Sequence, residues 1–109
     1  MKLALIAFAA AALLAAGTAN AALDNAAAEA MMKKDGCAAC HAIDKKLVGP
    51  AYVDVAAKYK SDKDAVAKLT KKVKEGGSGV WGQIPMPPNA ATPTADITGL
   101  VTWILTLKK

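Results

Sequence analysis

The chain has 109 residues, with fourteen lysines, no arginine and nine carboxylates, for a formal net charge of +5. That length allows one small domain, and a basic surface made of lysine alone argues against nucleic-acid recognition, which leans on the bidentate fork of arginine. Two cysteines exclude a multi-bridge disulfide scaffold, so a domain this small needs something other than crosslinks at the centre of its core.

In chain order, Lys2 is followed by an uninterrupted apolar run over residues 3–16 and then by Ala19-Asn20-Ala21. The run is shorter than the ~20 residues a membrane-spanning helix requires, and with its Ala-x-Ala site it reads as an export signal. Residues 1–21 are therefore expected to be a cleavable signal peptide and residues 22–109 the exported domain. Without Lys2 the formal charge falls from +5 to +4. No cysteine stands directly after the cleavage site, so no lipid anchor is expected. A mildly basic exported domain suits acidic protein surfaces or anionic membrane.

The remainder reads as four short helices with no alternating run long enough for a strand. The first is predicted over 24–34, with Asp24 or Asn25 as its cap and Gly36 as its stop. A second starts at Gly49-Pro50, with proline at the first helical position and Tyr52, Val55, Ala56 and Tyr59 at helical spacing. A third runs over 61–75, with Ser61 and Asp64 in the spacing of a capping box and Val66, Leu69 and Val73 on one face. The fourth opens at Thr94 after Pro93 and carries Ile97, Leu100, Val101, Ile104 and Leu105, the best-defined apolar stripe in the chain. Between the third and fourth lies the 76–89 segment, with four glycines and three prolines. It also holds Trp81, Ile84 and Met86, which a plain linker would not carry.

Cys37-Ala38-Ala39-Cys40-His41 matches the attachment pattern of a covalent c-type haem. Thiols three positions apart lie on one side of a helical turn and can add to the two vinyl groups. His41, four positions after Cys37, falls on the same side and can reach the iron. A thioredoxin-like dithiol would need a preceding strand, and a structural zinc site would need a fourth ligand of the Cys or His type. A plain disulfide leaves His41 without a purpose.

His41 is the only histidine, so a second histidine ligand is excluded within one chain. Met31 and Met32 lie on the first helix and read as core residues. Met86 is bounded by Pro85, Pro87 and Pro88, which stiffen the backbone around it. Its side chain either fills a gap or ligates the iron, and a thioether opposite histidine would raise the reduction potential. With both axial positions filled, electron transfer is favoured over catalysis. A haem enzyme would want the sixth position open, and a gas-sensing or purely structural haem module would lack reversible redox cycling at moderate potential.

The segments Cys37–Asp44, Val48–Tyr52, Gly79–Gly82 and Ile84–Asn89 together resemble the small bacterial class I cytochromes c of the cytochrome c-551 type, in matching order and spacing over nearly the whole mature chain. The resemblance implies an all-α class I cytochrome c fold of about four short helices around one covalent haem c. It implies a periplasmic, monomeric electron carrier, not an enzyme, that serves redox protein donors and acceptors in a respiratory chain, for example toward nitrite reductase or a terminal oxidase. By the same resemblance Cys37 and Cys40 carry the thioethers, His41 and Met86 are the axial ligands, and the Pro50 carbonyl accepts the His41 Nδ1–H. Asn89 hydrogen-bonds near the Met86 sulfur and Trp81 donates its indole N–H to a haem propionate. The family commonly has arginine near the propionates where this chain has Lys72, and phenylalanine where it has Met32. Lys33, Lys34, Lys45, Lys46, Lys58 and Lys60 are expected to ring an apolar docking face for acidic partners.

Overall fold

The computed structural model describes residues 23–109. The expected signal peptide and the first residue of the expected domain lie outside them. Four α-helices follow in order: α1 (Asn25–Lys34), α2 (Tyr52–Tyr59), α3 (Ala65–Glu75) and α4 (Thr94–Ile104), with one 3-10 turn at Cys37–Ala39. Among the described residues there is no strand; two isolated bridges, His41 with Lys46 and Gly77 with Met86, are the only extended pairings. The all-α expectation holds.

α1 begins where the Asp24 carboxylate accepts the Ala27 N–H at 2.7 Å, satisfying one donor that a helix start leaves open. It ends at Gly36, whose φ of 78° is cheap only for a residue without Cβ. α4 follows Pro93 as expected and is the hub, packing against α1, α2 and α3. It supplies Ile97, Leu100, Val101, Trp103 and Ile104 to a core completed by Ala28 and Met32 of α1, Tyr52 and Val55 of α2, and Leu69 of α3. Trp103 donates its indole N–H to Asn25 Oδ1 at 3.0 Å, tying the end of α4 to the start of α1.

Two helix starts differ from expectation. α3 opens at Ala65, four residues after Ser61, and no Ser61–Asp64 capping box forms. Asp62 organises the turn instead: its Oδ1 accepts the Asp64 N–H at 2.8 Å and its Oδ2 accepts Lys68 at 2.7 Å. The aspartate side chain closes an Asx turn, which competes with continuation of the helix backward. α2 begins at Tyr52 rather than at Pro50. The N–H groups of Tyr52 and Val53 donate to the carbonyls of Ala42 and Ile43, both at 3.0 Å. The segment that follows His41 thus satisfies donors at the start of α2, and Pro50 stays outside the helix.

Candidate functional site

Gly36 turns the chain out of α1 directly into the Cys37–Ala39 turn. Within it the N–H groups of Cys40 and His41 both donate to Cys37 O, at 3.1 and 3.0 Å. In a 3-10 turn residues i and i+3 eclipse, so this short piece stacks the two cysteines on one side. Both thiols are free and half-buried. Burial pushes the Cys37 thiol up, while the Tyr52 hydroxyl beside it acts the other way. A redox dithiol needs a thiolate of lowered pKa, and Cys37 has the opposite environment. Among the described residues no three His, Cys, Asp or Glu side chains gather to hold an ion between them, which disfavours the zinc alternative on geometry.

His41 Nδ1 is 2.8 Å from the Pro50 carbonyl oxygen. With the proton on Nδ1 as donor, Nε2 is left as the free acceptor of the ring. The Tyr52 ring is stacked on the imidazole, with centroids 5.0 Å apart and 19° between the planes. Gly49 leans on the same imidazole, since a Cβ there would come 2.5 Å from Cε1.

Met86 sits in the 76–89 loop, facing Gly77. The two residues exchange both backbone hydrogen bonds at 2.9 Å, and Asn89 N–H anchors the far end to Val73 O of α3 at 3.0 Å. Gly76 has φ +71°, and a Cβ on it would collide with the Met86 carbonyl oxygen. The loop is therefore built by backbone approach that only glycine permits, reinforced by the flanking prolines.

One cleft of about 300 Å³ takes in Cys37, Cys40, His41, Pro50, Met86 and Asn89, with Lys72 and Trp81 along it and Leu69, Ile97 and Leu100 at its apolar floor. Trp81 is 41% exposed and so is not a core residue. Lys58 Nζ lies 5.5 Å over its ring, and among the described residues no protein acceptor reaches its indole N–H. Lys72 Nζ lies beside Gly77 and among the described residues makes no ion pair. The Asn89 side-chain amide donates to Pro87 O at 3.5 Å rather than to the Met86 sulfur.

This donor set fits a haem. Two free thiols, a histidine with Nε2 available and a thioether open on one largely apolar cleft, with an ammonium and an unpaired indole N–H for anionic groups. Tyr52 and Gly49 belong to this site; both fall in a segment of the family resemblance, but neither has a role against the imidazole that is legible in the sequence. Tyr52 reads there as a helical core position, and the only available signal was its closeness to Gly49-Pro50.

Residues 25–108 match the family model described as Cytochrome c. Cytochrome c-552 of Nitrosomonas europaea is 54% identical over 101 residues, covering 93% of this chain and 92% of its own length. Cytochrome c-551 of Allochromatium vinosum is 57% identical over 77 residues, covering 71% of this chain and 82% of its own. The crystal structure of wild-type Nitrosomonas europaea cytochrome c552 aligns with a TM-score of 0.71 at 54% identity, over 73% of this chain and 99% of its own. The class 1 cytochrome MtoD from Sideroxydans lithotrophicus aligns at 0.67 with 35% identity, over 78% and 97%.

Proposed function

The chain belongs to the cytochrome c family, as a small class I cytochrome of the c-551 type, and we propose that it shuttles single electrons between periplasmic redox proteins with its iron held by His41 and Met86. Its cofactor is one covalently bound haem c, and its work is electron transfer, not enzymatic conversion. The observation that carries the proposal is the meeting of Cys37, Cys40, His41 and Met86 on one cleft, although Met86 comes from a loop 45 positions after His41 in the chain.

Bound haem c supplies the Fe(III)/Fe(II) couple. Cys37 and Cys40 make the two thioethers from their shared turn. His41 presents Nε2, held in one tautomer because Pro50 accepts its Nδ1–H. Met86 presents a soft thioether that favours the ferrous state, from a loop stiffened before the cofactor arrives. Trp81 and Lys72 bind the propionates, Lys72 as a point charge where an arginine would be bidentate. Asn89 supports the loop beside Met86 through its backbone bond to Val73.

Around the cleft mouth, Val48, Val80, Trp81 and Ile84 are exposed apolar side chains, with Lys46 and Lys72 along the cleft. An apolar patch edged by cations supports brief docking to acidic redox partners. Among the described residues no helix is long and apolar enough to cross a membrane, and the export signal read from residues 1–21 supports the periplasmic assignment.

Spectra and mass test the reading. The intact mass should equal the mature chain plus one haem that resists acid–acetone extraction. Met86→Ala should abolish the far-red sulfur-to-iron band and admit exogenous imidazole; survival of that band would show that Met86 is not the ligand. Periplasmic fractionation of the expressing cell should recover the haem-stained chain.

A further inference from the structure

We propose that Tyr52 is a positioning residue for the axial imidazole: its stacked ring sets the plane in which His41 meets the iron. The proposal rests on the reading of His41 as an iron ligand. The Pro50 hydrogen bond by itself leaves that plane loosely defined. Hydrogen bonds tolerate a broad range of angles, so a ring held at Nδ1 and at Nε2 can still rock about the line joining them. A flat group against the ring face opposes that rocking. Tyr52 supplies one, at 5.0 Å between centroids and 19° between planes.

The tyrosine is itself held by a neighbouring ring and by its own backbone. It is 4% exposed, and the edge of Trp103 meets it at 6.3 Å and 89°, a favoured arrangement of aromatic pairs. Trp103 is in turn tied to Asn25 of α1 at 3.0 Å. The Tyr52 backbone N–H donates to Ala42 O at 3.0 Å, one residue past His41, so imidazole and phenol ring are clamped into a single unit. Gly49 closes on the imidazole as well, where a Cβ would come 2.5 Å from Cε1. The orientation of the ligand plane is thus a product of α1, α2 and α4 together, transmitted through Tyr52.

In ferric low-spin haem the axial ligand planes decide which iron orbital holds the unpaired electron, and the order of the four haem-methyl NMR resonances reports it. Proton NMR of the holoprotein therefore tests the proposal. Tyr52→Phe, which keeps the ring, should preserve the methyl order. Tyr52→Leu should change the order and spread, while Met86 still contributes its own unchanged share. In the unsubstituted holoprotein the imidazole plane derived from the magnetic axes should lie close to the 19° from Tyr52 seen here. That measurement decides the matter even if the leucine variant does not take up haem. A methyl order unaffected by Tyr52→Leu, even with a lowered melting temperature, would make Tyr52 a packing residue only. An imidazole plane turned well away from the Tyr52 ring in the unsubstituted protein would overturn the proposal equally. Holoprotein in which His41 does not ligate the iron at all would overturn the reading of the site, and the proposal with it, and is recognised separately by the loss of the His41 ring signals from the hyperfine-shifted region.

Discussion

The Pro50 carbonyl oxygen lies 2.8 Å from His41 Nδ1, and it is open to that contact because Ala51 takes the first helical bonds of α2. Asp54 and Val55 both donate to Ala51 O, at 3.0 and 3.1 Å. A proline one turn deeper would have spent its carbonyl on the helix. If His41 ligates the iron as proposed, the boundary of α2 is part of the haem-binding machinery.

Gly49, between that proline and the loop after His41, is held small by the imidazole. Gly49→Ala places a methyl 2.5 Å from His41 Cε1, so the ring or the Gly49-Pro50 backbone must shift. Overpacking of this kind costs about 1–3 kcal/mol, and a displaced ring weakens its bond to Pro50. Denaturant unfolding of the holoprotein should show the loss together with a changed reduction potential. Unchanged stability and potential would mean that the ring is not confined there.

The Trp103–Asn25 bond should matter to stability and not to the spectrum. Trp103 is 2% exposed, and Asn25→Ala removes the acceptor of its indole N–H. An unsatisfied buried donor costs about 1–3 kcal/mol, with the lower end expected because Asn25 is at the surface. Urea midpoints should fall accordingly while the visible absorption stays the same. An Asn25→Ala chain as stable as the parent would refute the link.

Acid should erase the contribution of Asp62. Its carboxyl is lowered first by the hydrogen bond from Lys68 and next by the backbone N–H of Asp64, so it lies below the ordinary value of ~3.9. A carboxyl lowered on folding contributes stability that is fully present above that ordinary value. The contribution is lost as pH falls through the lowered one. Asp62→Asn should therefore melt below the parent at neutral pH, and the gap should close on acidification from about pH 4 downward. Because the pair is exposed, the neutral-pH gap should be small and should shrink with salt. A gap that persists at low pH would show that it does not arise from the carboxylate charge.

The lysines near the cleft should set association rates. Lys46 pairs its backbone with His41 and lies along the cleft with Lys72. The rate with an anionic small-molecule oxidant should fall as salt rises, since the Debye length drops from ~10 Å at 0.1 M to ~3 Å at 1 M. A cationic oxidant should show the opposite trend. Replacing Lys45 and Lys46 by Glu should flatten the first dependence and leave the spectrum nearly unchanged. Rates indifferent to salt would assign docking to the apolar side chains alone.

What was legible in the chain is what depends on neighbours within a few positions. The spacing of Cys37, Cys40 and His41 matches the covalent haem-attachment pattern. Asp24 and Gly36 bound α1, the stripe from Ile97 to Leu105 defines α4, and the prolines around Met86 announce a stiff loop. Each rests on i to i+4 geometry or on the dihedral limits of one residue. Ser61 against Asp62 shows the limit of such signals: two adjacent residues can both turn the backbone, and only the partner Lys68 on the next turns favours one.

The rest was decided by residues far apart in sequence. Asn25 and Trp103 are 78 positions apart. Lys58 meets Trp81 and Met86 joins the cleft of His41 only when the 76–89 loop is anchored on α3. The start of α2 is set by the carbonyls of Ala42 and Ile43, which no propensity within α2 contains. The sequence thus determined by itself the haem chemistry and the helices that could form. Tertiary packing alone decided where Pro50 left off and α2 began, and which aromatic face met His41, because open backbone donors and buried aromatic rings take whichever partners the closed chain brings to them.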